Sequence, residues 1–411
     1  MDDPVTTIKM LLLLMSLRVI LRLKRRQVKR KRLWVKPWLL RRDRQGAYSN
    51  LCRELQSEDL QSFHNFARVV PNQFKHLLQL VTPIIQRQNT NFRESISPGE
   101  RLMITLRFLA TGESFRSLHY AFRIGCSTLS ELIPETCRAI YQVLKEKHLK
   151  CPTTADEWIK VSEGFQTTAK FPNCLGALDG KHIRIKPPPQ CGAQFFNYKH
   201  FNSIVMMALV DSNYRFLYVD VGCNGRVSDG GVFRGTTLQE SLEQRTANIP
   251  QSTPLPGTDI PMPFFVVADE AFPLKPYLMK PFARRGLSRE QRVFNYRLSR
   301  ARRIVENTFG IFANRFRVFL TTINLQPNVV EDIVLASCAL HNYLRDECVD
   351  AYMCEIPDQD GQETWRQDPT MPQAALPRST NASNEAKLNR ERLMEYFNSE
   401  AGAVPWQWDR I

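Results

Sequence analysis

The 411-residue sequence predicts an α/β body preceded by an all-helical segment. Three observations carry that prediction. Apolar residues recur at helical spacing between Ser97 and Ile133. Two strand-like runs, 203–210 and 214–221, flank the turn Asp211-Ser212-Asn213 and read as a hairpin. A short apolar strand at 264–268 precedes a helical stripe of Ala301, Ile304, Val305, Phe309 and Phe312.

A basic arm, 1–45, opens the chain. It holds 14 Lys/Arg against 3 Asp/Glu, and the rest carries 42 against 38, so +11 of the net +15 sits on the arm. Residues 22–32 (RLKRRQVKRKR) are basic at eight of eleven positions. Such a run reads as a nuclear import signal, a phosphate-binding arm, or both, with Arg25, Arg26, Lys29 and Arg30 as candidate DNA contacts. A solvated tail and a membrane-surface helix are the alternatives. The apolar run from Met10 to Leu17 follows Asp2 and Asp3, has no small-residue cleavage site after it, and falls short of the ~20 residues of a membrane span. The expected location is the nucleus, with no membrane partner. Ten scattered cysteines without a CxxC pair indicate reduced thiols, neither a disulfide framework nor a zinc site.

The helical segment spans 46–165. Ser97-Pro98-Gly99-Glu100 reads as a helix start, ahead of Leu102, Met103, Leu106 and Leu109. A second helix is expected over 114–123, a turn at Gly125, and a third helix capped by Ser127 and kinked or restarted at Pro134. Helix, short turn, helix is the pattern of a DNA-binding helix-turn-helix, offering Arg116, Arg123 and Arg138 to phosphates. A helical bundle without DNA is the alternative.

The α/β segment, 166–348, includes a Pro-rich insertion near 240–263, expected to be exposed. Ser288-Arg-Glu-Gln291 is a capping box and Ser299 a second possible helix start. The remainder, 349–411, is a loose Asp/Gln/Pro-rich tail, then a helix over 384–398 that packs back through Tyr396, Phe397, Trp406 and Trp408.

The acids stand out by position. Asp179 closes one apolar strand, Asp269 closes another, Glu306 lies in a later helix, and Asp229 precedes what reads as a short helix. A carboxylate at a strand end sits on the sheet rim. Several converging there repel one another, which hard divalent cations relieve; Mg2+ or Mn2+ suits such oxygen ligands. Two ions about 3.5–4 Å apart serve in-line displacement at a phosphodiester. Each acid has a rival role: a turn for Asp179 and Asp269, an N-cap for Asp229, and a surface ion pair with Arg302 or Arg303 for Glu306. Glu270, Asp211 and Asp220 are conceivable substitutes. Basic residues crowd the same stretches, chiefly Lys181, Arg184, Lys199, Arg300 and Arg303, as phosphate contacts.

Four blocks, GALDGKHIRIKPP (176–188), GCNGRVSDGGVF (222–233), VVADEAFPLKPYLMKPF (266–282) and LSRARRIVENTFGIFANRF (298–316), resemble the PIF/Harbinger transposase superfamily. Residues 96–133 resemble its helix-turn-helix region and LHNYLR (340–345) a downstream block. The resemblance implies a ribonuclease-H-like mixed-sheet DDE nuclease domain behind the helical one. It implies Asp179, Asp269 and Glu306 as the catalytic triad, with Asp229 as a further metal ligand. It also implies cut-and-paste transposition: metal-dependent hydrolysis at element ends, then attack of the freed 3′-OH on target DNA. The implied partners are DNA, further copies of the chain, and a Myb/SANT-like DNA-binding protein encoded by the same element. A domesticated host nuclease and a non-catalytic chromatin protein are the alternatives.

Overall fold

The computed structural model describes residues 4–27, 35–90, 94–283, 285–347 and 382–410. An exposed helix α1 (Pro4–Gln27) comes first, then a single turn α2 (Arg42–Gln45) and helices α3 (Leu51–Glu58), α4 (Leu60–Ala67) and α5 (Pro71–Ile85). Helices α6 (Pro98–Thr111), α7 (Phe115–Phe122), α8 (Cys126–His148) and α9 (Ala155–Ala169) follow. Ser97 and Ser114 cap α6 and α7 through their side chains. In α8 the cap is Gly125, not Ser127, and the helix is not restarted at Pro134 but continues through it. Leu129, Leu132, Ile133 and Cys137 are all buried around that proline, and their packing outweighs one missing backbone hydrogen bond.

The body is a five-stranded mixed sheet. Strands β1 (Cys174–Arg184), β2 (Ser203–Val210) and β3 (Phe216–Asn224) form an antiparallel meander. A small two-stranded ribbon, β4 (Thr253–Pro254) with β5 (Pro261–Met262), lies ahead of β6 (Phe265–Val267) and β7 (Leu278–Met279). The order is β3-β2-β1-β6-β7, with β6 parallel to β1 and β7 parallel to β6. This arrangement is consistent with a ribonuclease-H-like sheet.

Every residue of β2 is buried, because helices cover both faces. Its even-numbered residues join a core with the long helices α12 (Arg289–Arg315) and α13 (Pro327–Glu347), continuous with the helices before the sheet. Val205, Met207 and Leu209 face the opposite way, onto α10 (Asp229–Phe233), α11 (Thr237–Glu243) and Trp158 of α9. At roughly 1.5–3 kcal/mol for each large apolar side chain buried, this strand anchors the sheet.

The capping box at Ser288 is present, and α12 runs unbroken past Ser299. The Pro-rich segment is not wholly an exposed insertion. Leu255 and Met262 are buried, Asn173 donates to the Met262 carbonyl at 2.8 Å, and Trp158 Nε1 donates to the Ala247 carbonyl at 2.9 Å. Helix α14 (Asn384–Asn398) packs back as expected, burying Tyr396 and Phe397. Trp406 adds an edge-on contact with Tyr296, whereas Trp408 stays 38% exposed under Arg289. Cysteines among the described residues are free, and no helix there is long and apolar enough to cross a membrane.

Candidate active site

The parallel pairing of β1 with β6 decides where the first acids lie. Ala177 is in register with Val267, so Asp179, which lies in the middle of β1 and does not close it as expected, neighbours Asp269, two residues past the end of β6. Neighbouring strands are about 4.8 Å apart. Both aspartates point to the face covered by α12, the side on which Ala177 and Val267 are buried. Each keeps one local bond: Asp179 Oδ1 accepts from Gly180 N at 2.9 Å, and Asp269 Oδ1 from Ala271 N at 2.8 Å.

Asp229 approaches from the side. Ser228 occupies the N-cap of α10, so Asp229 is the first helical residue and not the cap. Two glycines permit its approach. A Cβ on Gly180 would lie 2.2 Å from Asp229 Oδ1, and one on Gly230 would lie 2.7 Å from the Ala271 carbonyl. Asp229 Oδ1 is buried without a hydrogen-bond partner. A buried carboxylate oxygen left this way costs free energy unless a cation or a donor reaches it.

Helix α12 packs on β1 and brings Arg302 and Glu306, one turn apart, to the same region. The two form an i,i+4 ion pair, the rival role foreseen for Glu306, whose side chain is 46% exposed against 22% for Arg302. Arg302 also interacts electrostatically with Asp179 and Asp269, so one guanidinium serves three acids. Burial pushes Asp179 and Asp229 up to about 7. Arg302 opposes the rise at Asp179, and Asp269 and Asp229 add to it there; Asp269 adds to the rise at Asp229, which Lys199 opposes. Asp269 is also raised by burial, against Arg302 and Lys280. Among the described residues no three His, Cys, Asp or Glu side chains already close round one point as a metal cage. The donor set nevertheless fits a hard cation: three carboxylates near enough to act on one another, one of them with an orphaned oxygen, and a fourth acid paired with Arg302.

The basic candidates divide. Arg116, Arg184, Lys199 and Arg303 are exposed. Arg184 lies over the Phe201 ring, Lys181 over Phe309 and Arg300 over Trp406. Arg123 is instead tied down: it donates to the carbonyls of Trp38 at 2.8 Å and Gln45 at 3.1 Å, pinning the end of the arm to the α7–α8 turn. Arg138 pairs with Asp332, and Arg297 is buried, donating to Gln407, Gly402 and Lys170. Lys29 and Arg30 lie outside the described residues, as do the side chains of Arg25 and Arg26. Among the substitute acids, Asp211 is consumed by the hairpin turn, accepting from Asn213 N and Arg215 N.

Two roles were missed in the sequence. Arg302, foreseen as a surface partner of Glu306, proves to be a counter-ion of Asp179 and Asp269 as well. Asn342, within LHNYLR, acts as an extra strand: it exchanges bonds of 2.9 and 2.7 Å with Phe216 N and O, and donates to the His148 carbonyl at 2.6 Å. Only its place among apolar helix residues hinted that it is buried.

Two neighbouring aspartates at the inner strands β1 and β6, with a third acid on α10 and a fourth on the covering helix α12, form a cluster of acids of the kind that serves phosphodiester chemistry. Residues 178–342 match the DDE superfamily endonuclease family, and the resemblance to PIF/Harbinger proteins is borne out by the relatives that the chain matches. It is 27% identical over 302 residues to Protein ALP1-like of Arabidopsis thaliana, covering 71% of this chain and 72% of the relative. It is 25% identical over 315 residues to the Arabidopsis thaliana protein Antagonist of Like Heterochromatin Protein 1, covering 73% and 77%. It is 23% identical over 309 residues to the candidate nuclease HARBI1 of Mus musculus, covering 74% and 82%. No solved structure is significantly similar.

Proposed function

We propose that the chain is a DNA endonuclease dependent on Mg2+ or Mn2+, and that as a cut-and-paste transposase it joins the freed 3′-OH to target DNA. The observation that supports this most is the β1/β6 register that sets Asp179 beside Asp269, with the orphaned Asp229 oxygen close by. When bound, divalent ions polarise the scissile phosphodiester and activate the attacking water. Asp179 and Asp269 hold them from the sheet, Asp229 from α10, and Glu306 once it turns from Arg302. Arg302 and Lys199 then face the phosphate, while exposed Arg184, Arg303, Arg116 and the basic arm follow the DNA backbone. Because two element ends are processed together, the working form is an oligomer in the nucleus, assisted by a Myb/SANT-like partner.

A second reading has one supporting observation: the relatives include a candidate nuclease and an antagonist of a heterochromatin protein, not an active transposon enzyme. It is a host nuclease with the same chemistry and no element to move. Incubation of DNA with Mg2+ and either wild type, Asp179→Asn, Asp269→Asn or Glu306→Gln tests both. Each substitution is expected to lower cleavage about a hundredfold or more. Full cleavage by all three variants would sink the assignment. Joined products support the transposase, and cleavage without joining supports the host nuclease.

A further inference from the structure

The connection between β1 and β2 is built to display aromatic rings. Residues 195–198 alternate in and out: Phe195 and Asn197 are buried, while Phe196 is 44% and Tyr198 42% exposed. The alternation is held by Asn197. Its Oδ1 accepts from Lys199 N at 2.9 Å and Phe201 N at 3.2 Å, and its Nδ2 donates to Ser203 Oγ at 2.9 Å. Ser203 N in turn donates to the Phe195 carbonyl at 2.8 Å. A loop braced at this many points presents its rings at little entropic cost on binding.

The platform stands beside the acids. Tyr198 meets the His182 ring edge-on at 5.4 Å, and His182 shares a face of β1 with Gly180, against which Asp229 lies. Lys199, over the Tyr198 ring at 5.8 Å, also acts on Asp229. Residues 180–210 contain Lys181, His182, Arg184, Lys186, Lys199 and His200 and no Asp or Glu. Rings interleaved with cations, with no carboxylate in the run, complement a polyanion that carries flat apolar groups. That describes a single nucleic-acid strand, whose backbone takes the cations and whose bases take the rings.

We infer that Phe196 and Tyr198 form a stacking platform for unpaired nucleobases of the DNA strand entering the acid site. This deepens the nuclease reading by adding that the substrate is locally unpaired, and it rests on that reading only for the identity of the site. Binding is measured on the full chain in EDTA by fluorescence anisotropy, with labelled oligo(dT) and an abasic strand of equal length and charge. Wild type should bind oligo(dT) roughly tenfold more tightly than the abasic strand, and the Phe196→Ala/Tyr198→Ala variant should lose that preference. A second variant, Phe196→Leu/Tyr198→Leu, keeps apolar area without rings and should lose it equally. Equal wild-type affinity for both strands would overturn the inference. So would either variant keeping the preference, or a wild-type dimer in sedimentation that both variants abolish. Cleavage plays no part in this readout, so a chain that binds bases but never cuts would fail the nuclease reading alone.

Discussion

Asp179 alone carries two facts about the site. It ends an apolar run, legible in the sequence, and it stands beside Asp269, which no sequence spacing declares. Glycine at 180 is required by the close approach of Asp229, 2.2 Å from where a Cβ would be. Gly180→Ala should displace Asp229 and lower Mg2+-dependent cleavage about tenfold or more while far-UV circular dichroism stays unchanged; unaltered cleavage would remove Asp229 from the site. Arg302 compensates Asp179, Glu306 and Asp269 at once. Arg302→Gln should therefore destabilise the metal-free protein by about 1–3 kcal/mol, and Mg2+ should raise the variant's Tm by more than it raises the wild type's. An identical metal-induced rise in both proteins would show that Arg302 does not neutralise these acids. The sequence could not reveal this role, because Arg302 is one of four arginines between 297 and 303, and only the packing of α12 selects which one faces the acids.

At the scale of elements, periodicity served well where one face is buried. The caps at Ser97, Ser114 and Ser288, the 203–210 strand and the 384–398 helix all follow from local patterns. It served poorly where tertiary packing overrides local preference, as in the helix through Pro134 and the buried Leu255 and Met262 of the Pro-rich stretch. Edge strand β3 depends on α13 through Asn342, which satisfies both backbone groups of Phe216. Asn342→Ala leaves those groups and the His148 carbonyl unpaired in the core. The expected cost is about 2–4 kcal/mol in urea unfolding, with weakened amide protection at Phe216. A cost below a few tenths of a kcal/mol would show that water replaces the side chain there.

For the whole molecule, charge separates into an arm of +11 and a body near balance. Deleting residues 1–32 should weaken DNA binding and flatten its salt dependence, by about 0.9 in the log–log slope for each phosphate that the arm would otherwise neutralise. It should leave the fold intact, since the described part of α1 is exposed throughout. An unchanged slope would make the arm an address and not a grip.

By itself the sequence determined the helical-then-α/β order and the basic arm, and nominated the acids, because composition, period and motif blocks are local properties. Only the tertiary structure decided that Asp179 and Asp269 are neighbours, that Arg302 neutralises them, that Arg123 pins the arm, and that Phe196 and Tyr198 face outward. Those depend on strand register, helix packing and burial, each set by interactions between residues far apart in the chain.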